Sequence, residues 1–298
     1  MTDNLRGILA VLIGSTAFVL NDAAVKLVSD ELPSGEIIVV RGVLATGMLV
    51  VGVLVTGARR PLRILFEPLM LLRVLSAAAA TTFIVVALRY LPLATVNTVL
   101  QVTPLAVTAG AAIIYREAVG WQRWLAAIAG FLGVLLIVKP GGGFGAAAYL
   151  ALTALLFTTT RDLSTRGLQR DIPSMFVAAA SAFAIFLSGF LVAPFDTAWV
   201  VPSAWAWGMM TISAACLFVA NTLIIIALRT GEIAVIAPFR YTPVPLSIGL
   251  GWWLWGDIPD AIAFLGIALV LAAGLYTLHR ERLSMRAPAR APERSPAE

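Results

Sequence analysis

The chain has 298 residues, of which 60% are hydrophobic and 12% charged, and its mean hydropathy is +0.94. A soluble domain carries about 25% charged residues, so a large water-soluble domain is excluded and the bilayer is the natural solvent. The net charge of +5 reads as a membrane-topology signal, and nucleic-acid binding is a poor reading of it.

About 20 apolar residues cross a bilayer as a helix. Segments of that length are expected at 5–28, 35–57, 68–90, 93–115, 121–139, 146–166, 173–193, 203–229, 233–255 and 260–279. Barrel strands alternate apolar and polar residues, whereas runs such as Ile8–Leu20 and Phe131–Val138 are unbroken. The expected fold is all-α, with ten transmembrane helices.

The first span follows Arg6 and ends in Asn21, Asp22 and Lys26 without a clear cleavage site, so it reads as an uncleaved helix. The second carries Arg41 about a turn and a half inside, where it meets Asp22 or reaches the headgroups. The third holds Phe83. In the fourth, Asn97, Gln101, Pro104 and Thr108 recur at i, i+4, i+7 and i+11 and share one face. Ala126, Gly130 and Gly133 suggest close packing of the fifth span; a homodimer contact there is open, and a monomer suffices. Pro140-Gly141-Gly142-Gly143 reads as a flexible linker. The sixth span brings Phe157, Asp162 and Arg166. The eighth holds Asn221 and the single cysteine, Cys216, expected to pack as a small apolar residue. The ninth carries Arg240, Tyr241, Pro243 and Pro245, and the tenth ends at the single histidine, His279. Trp199, Trp205, Trp252, Trp253 and Trp255 lie near span ends as an interfacial belt. Residues 281–298, rich in Arg, Pro and Ala, read as a disordered cytoplasmic tail.

Basic residues concentrate on cytoplasmic flanks. With a cytoplasmic N-terminus, 16 of the 21 Lys and Arg fall on that side, 3 opposite and 2 within spans. Both termini are then cytoplasmic, in a bacterial inner membrane.

A shift of 140 places Asp22 on Asp162, Lys26 on Arg166, Ala87-Leu88-Arg89 on Ala227-Leu228-Arg229, and Glu117 on Asp257. With one gap, Gln101-Val102-Thr103-Pro104 falls on Arg240-Tyr241-Thr242-Pro243. The chain divides into repeats 1–140 and 141–280 of five spans each. Five is odd, so the second repeat enters from the opposite side. Inverted repeats of this kind are the arrangement of many secondary transporters. No G-x-x-x-x-G-K-[ST] occurs, which argues against ATP hydrolysis.

The 5+5 arrangement, Asn21-Asp22-Ala23-Ala24-Val25-Lys26 closing the first span, Arg41-Gly42, the two Thr-Pro steps, and Glu117 and Asp257 at matching turns resemble the drug/metabolite transporter superfamily, EamA type. Overall likeness extends to its aromatic amino-acid exporter branch (YddG type). The resemblance implies a central cavity lined by spans 1, 3, 4, 6, 8 and 9. It also implies alternating-access export of amino acids, aromatic or otherwise apolar. The alternative is a carrier for another small metabolite or drug, uptake included.

Polar groups inside a membrane usually face the bundle interior. The candidate substrate residues are Asn21, Asn97, Asn221, Gln101, Arg240, Tyr241, Phe83 and Phe157. Arg240 offers a cargo carboxylate two parallel hydrogen bonds, or pairs internally with Asp22 or Asp162. Pro104 frees the Leu100 carbonyl and Pro243 that of Phe239, with Pro245 a further kink; the bends serve a cavity or only packing. Asp22–Lys26 and Asp162–Arg166 are acid-then-base i, i+4 pairs, read either as two alternating gates or as interfacial anchors. No H-E-x-x-H is present, so an intramembrane enzyme is the weaker class. No cofactor or metal is expected. The partners are a small-molecule substrate and the lipid bilayer.

Overall fold

The computed structural model describes residues 3–58, 60–117, 119–139, 145–168, 172–230 and 233–286, and these are all-helical apart from turns. The helices are α1 (Asp3–Val28), α2 (Ser34–Thr56), α3 (Pro68–Tyr90), α4 (Leu93–Leu100), α5 (Thr103–Ile114), α6 (Trp121–Val138), α7 (Ala147–Gly167), α8 (Ser174–Val192), α9 (Ala204–Thr230), α10 (Ile233–Ile236), α11 (Pro243–Trp255) and α12 (Ala261–Arg286). Taking α4 with α5, and α10 with α11, as single interrupted segments leaves ten among the described residues. Eight are long and apolar enough to cross a membrane. Of the other two, α7 ends in the polar run Thr158–Arg166, and the ninth segment is broken.

The fourth segment breaks at Gln101–Val102. The ninth breaks through a 3₁₀ turn at Ala237–Tyr241. In both, a Thr-Pro step opens the next helix, because proline has no N–H to continue the ladder. Helix α2 starts after Pro33 and stops at Gly57, whose φ of 65° supplies the left-handed cap that ends a helix.

The largest helix–helix faces are α1 on α9, α3 on α7, α2 on α8, and α6 on α12. At the last of these a Cβ on Gly133 would lie 2.7 Å from the Gly266 carbonyl oxygen. The glycines of the fifth span are thus spent inside the molecule, Gly133 against α12 and Gly130 chiefly against Leu105 of α5. The main apolar core gathers Ile37, Leu88, Val99, Leu105, Ile137 and Met210 from both halves of the chain.

Helix α12 continues to Arg286, so the helix takes in 281–286, six residues of the segment expected as tail. These include Glu281, Arg282, Leu283 and Met285, which favour helix once outside the apolar layer. Residues 287–298, the expected linker 140–143 and Asp171 lie outside the described residues.

Candidate functional site

We call the bundle end where α1 finishes distal and the end where it begins proximal. Asn21 forms the hub of a distal cluster. Its Oδ1 accepts from Arg41 Nη1 at 3.3 Å and from Ser213 Oγ at 2.7 Å. Its Nδ2 donates to Asp22 Oδ1 at 2.9 Å, and Asn97 Nδ2 donates to Asp22 Oδ2 at 3.2 Å. Both carboxylate oxygens are therefore held. Arg41 is 5% exposed, Asn21 3% and Ser213 0%. A charge this buried requires partners, and the cluster around Arg41 of α2 draws Asn21 and Asp22 from α1, Asn97 from α4 and Ser213 from α9. The headgroup reading of Arg41 is overturned: it turns inward, facing Asp22.

The expected Asp22–Lys26 pair is not made. Lys26 Nζ donates to the carbonyls of Leu88 and Leu91 at 3.1 and 2.8 Å, and it lies 5.4 Å from the Trp255 ring centroid. The end of α3 leaves carbonyls without helical donors, and a lysine beside them is better spent there than on a carboxylate already held by two amides. Asp257 faces the same ammonium. Around this end, Val200 N–H donates to Glu36, Ser203 N–H and Oγ donate to Glu31, and Gly35 N–H donates to Asp196. The loop before α9 is thereby tied over the start of α2.

At the two breaks the freed carbonyls are not free. Thr103 Oγ1 donates to the Leu100 carbonyl and Thr242 Oγ1 to that of Phe239, each at 2.6 Å. The threonine before each proline replaces the lost N–H donor, so the expectation of two open carbonyls is corrected. The breaks are joined by Gln101 Nε2, which donates to the Arg240 carbonyl at 2.7 Å. The Arg240 side chain is exposed and, among the described residues, pairs with neither Asp22 nor Asp162. Tyr241 is buried and lies against Gly274, where a Cβ would overlap its hydroxyl, so this ring packs on α12. Pro104 and Pro243 sit in the first turns of α5 and α11, and Pro245, two residues after Pro243, is exposed.

Near mid-span, Phe83 and Phe157 stack across α3 and α7, with centroids 5.8 Å apart and planes 5° from parallel, and a second polar cluster lies at the proximal end of α7. Asp162 Oδ1 is held by Arg161 Nη2 and Nε, both at 2.8 Å. The expected Asp162–Arg166 pair is likewise absent, because Arg161 takes the carboxylate. Arg166 turns to Glu117 at 3.7 Å. Arg73 Nη1 donates to Ser181 Oγ at 3.1 Å. Asn221 Nδ2 donates to Leu217 O in its own helix at 2.8 Å and joins neither cluster. Sequence reasoning missed Ser213, Ser181 and Arg73. The 140-residue shift carries the signal for them, since it sets Arg41 on Ser181 and Arg73 on Ser213.

Among the described residues no three His, Cys, Asp or Glu side chains gather as a metal site. What the arrangement offers is hydrogen bonding, fixed charge and ring stacking, which suits holding a molecule more than cleaving one.

Comparison with known proteins agrees. Residues 5–139 match the EamA-like transporter family. The chain is 27% identical to a riboflavin transporter of Vibrio cholerae over 95% of its own length and 96% of that protein's. It is 26% identical to the pseudopaline exporter CntI of Pseudomonas aeruginosa over 90% and 94%. An S-adenosylmethionine uptake transporter of Rickettsia prowazekii is 23% identical over 65% and 66%. A solved crystal structure superposes with a TM-score of 0.62 over 92% of this chain and 98% of its own, at 19% identity, a likeness of fold alone. These relatives are named for riboflavin, pseudopaline and S-adenosylmethionine, so the expected placing in the aromatic amino-acid exporter branch gains no support. With the match over residues 5–139 and these relatives along most of its length, the chain is similar to the EamA-like transporter family, and eight of its described helices are long and apolar enough to cross a membrane.

Proposed function

We propose that this chain is an alternating-access carrier for a small metabolite bearing a carboxylate, built from two inverted five-span repeats with both termini cytoplasmic. The observation that carries the reading is the junction of the two broken segments. Gln101 bridges to the Arg240 backbone, which leaves the exposed Arg240 guanidinium to grip an anionic group in two hydrogen bonds. The repeat is supported by the pairing of helices. A two-fold relating the halves exchanges α1–α9 with α7–α3 and maps α2–α8 and α6–α12 onto themselves, and these are the four largest faces. Asn97 lies one turn from Gln101 toward the distal cluster, and the Phe83–Phe157 stack offers a flat apolar wall to a ring.

Pseudopaline, S-adenosylmethionine and amino acids share the carboxylate. A second reading, riboflavin, is favoured by the relative that matches nearly end to end; its flat ring system would use the same aromatic wall. The direction of transport follows the gradient in either case.

The test is counterflow in proteoliposomes with labelled riboflavin, S-adenosylmethionine and a panel of amino acids, with and without a pH gradient. Saturable exchange of at least one of them is expected. Arg240→Ala should lower exchange of a carboxylate cargo at least about tenfold at unchanged expression. Full exchange by a well-expressed R240A protein would refute the carboxylate role. Riboflavin exchange untouched by R240A would favour the second reading.

A further inference from the structure

The two polar clusters occupy corresponding places in the two halves. At a spacing of 140, Asn21 and Asp22 correspond to Arg161 and Asp162, Arg41 to Ser181, and Ser213 to Arg73. Each cluster thus draws two adjacent residues from one helix and one corresponding residue from each of two neighbours, the distal one adding Asn97 from α4. Between the clusters, arginine and serine have exchanged helices. Distally the arginine is on α2 and the serine on α9. Proximally the serine is on α8 and the arginine on α3.

The exchange leaves the clusters chemically unequal. The distal one sets a single guanidinium against a single carboxylate and closes its bonds through Asn21, apart from the one that Asn97 donates to Asp22. The proximal one has Arg161 where the distal has Asn21, so two guanidiniums stand against the one carboxylate of Asp162. Arg161 takes that carboxylate with two nitrogens. Arg73 is left with the Ser181 hydroxyl, which itself donates to the Val177 carbonyl at 2.7 Å. Arg73 Nε is buried with no hydrogen-bond acceptor among the described residues. Arg73 and Arg161 are close enough for their like charges to act on each other. The place is also open to a ligand, since the Arg161 and Asp162 side chains are 33% and 39% exposed.

We propose that Arg73, Arg161, Asp162 and Ser181 form a second binding site, for an oxyanion, at the proximal mouth of the carrier. A carboxylate or phosphate group there would accept from Arg73 Nε and from the free edge of Arg161, and would neutralise the extra cation. The occupant is the anionic group of a cargo molecule or the phosphate of a lipid from the adjoining leaflet; the chemistry is the same. The site lies apart from Gln101 and Arg240, so it stands whether or not the central reading does. An anion site on one face raises affinity on that face only. It does not choose the direction of net flux, which the gradients set.

The test reads binding, not transport. The full chain in phosphatidylcholine nanodiscs is titrated with inorganic phosphate and with acetate at constant ionic strength, and the unfolding midpoint is followed. A saturable rise is expected in the wild type and in Arg6→Gln, which removes one cation from the same end. Apparent affinity should fall at least about tenfold in R73Q and in R161Q, and Asp162→Asn should bind about tenfold more tightly because it removes the competing carboxylate. A flat wild-type response, or equal affinity in wild type, R73Q and R161Q, overturns the proposal. Should R73Q and R161Q fail to fold, D162N decides, since it keeps both cations: tighter binding supports the site, and unchanged or weaker binding overturns it. Repeating the titration in phosphatidylglycerol discs separates the sources. If the lipid is the occupant, its headgroup blocks the phosphate response in the wild type and stabilises wild type but not R73Q. If a soluble anion is the occupant, the phosphate response persists.

Discussion

Replacing Asn21 by leucine keeps the volume and deletes the hub of the distal cluster. Three hydrogen bonds go at once: from Arg41 at 3.3 Å, from Ser213 at 2.7 Å, and to Asp22 at 2.9 Å. Asp22 keeps Asn97, so its loss is partial. Ser213 and Arg41 are left buried without that acceptor. A hydrogen bond between membrane helices is worth about 0.6 kcal/mol on average and up to about 1.7, and a bond to a charged group lies toward the upper end. The sum for three bonds, one of them to a guanidinium, is about 2–4 kcal/mol. Unfolding of the purified protein in mixed micelles by increasing detergent denaturant would read it. Ser213→Ala alone should cost about 1 kcal/mol, and the double variant should cost less than the two separately, because they share one bond. A loss below about 0.5 kcal/mol for N21L, or strict additivity with S213A, would refute the hub.

Three further outcomes are expected. Gly133→Val brings a side chain onto the Gly266 carbonyl and Val270, so it should destabilise by about 1–3 kcal/mol as an overpacked contact, read by the thermal midpoint in detergent. Thr242→Val keeps shape and removes the hydroxyl that seals the Phe239 carbonyl; a loss of about 1 kcal/mol is expected in the same assay, and Thr242→Ser should restore it. The Lys139 hydrogen bond holds the Asp260 carboxyl below its ordinary range. Its stabilisation is thus present above the unfolded value and is lost as pH falls through the lower folded one. Asp260→Asn should flatten the decline in stability between about pH 5 and pH 3, followed by the thermal midpoint across that range.

Much of the architecture was legible from hydropathy and spacing. The ten segments follow from apolar runs, and the two breaks follow from proline, whose missing N–H is a local fact. The two breaks that this spacing aligns are joined by the hydrogen bond from Gln101 to the Arg240 carbonyl. Side-chain partners were less legible. Asp22 and Lys26 have ideal spacing for a pair, yet spacing says nothing of the helix-end carbonyls of Leu88 and Leu91 that compete for the ammonium. Asp162 and Arg166 fail for a similar reason: Arg161, adjacent in sequence, reaches the carboxylate, and Arg166 finds Glu117 on another segment. Serines such as Ser213 and Ser181 look like filler in an apolar run. Only their register with Arg73 and Arg41 in the other half marks them. Tyr241 shows the limit of residue type, since the same ring that could stack on a cargo is used to fill the space over Gly274.

The threonines at the two bends have a consequence for how such a carrier diversifies. A kinked backbone ordinarily exposes an acceptor that any donor-bearing solute, or water, can claim. Here Thr103 and Thr242 occupy that acceptor from within the chain, so the main chain at each bend is chemically mute. Discrimination between solutes then falls to side chains alone. A handful of substitutions can exchange one vocabulary of contacts for another while the scaffold stays as it is, which accords with relatives whose names record riboflavin, pseudopaline and S-adenosylmethionine.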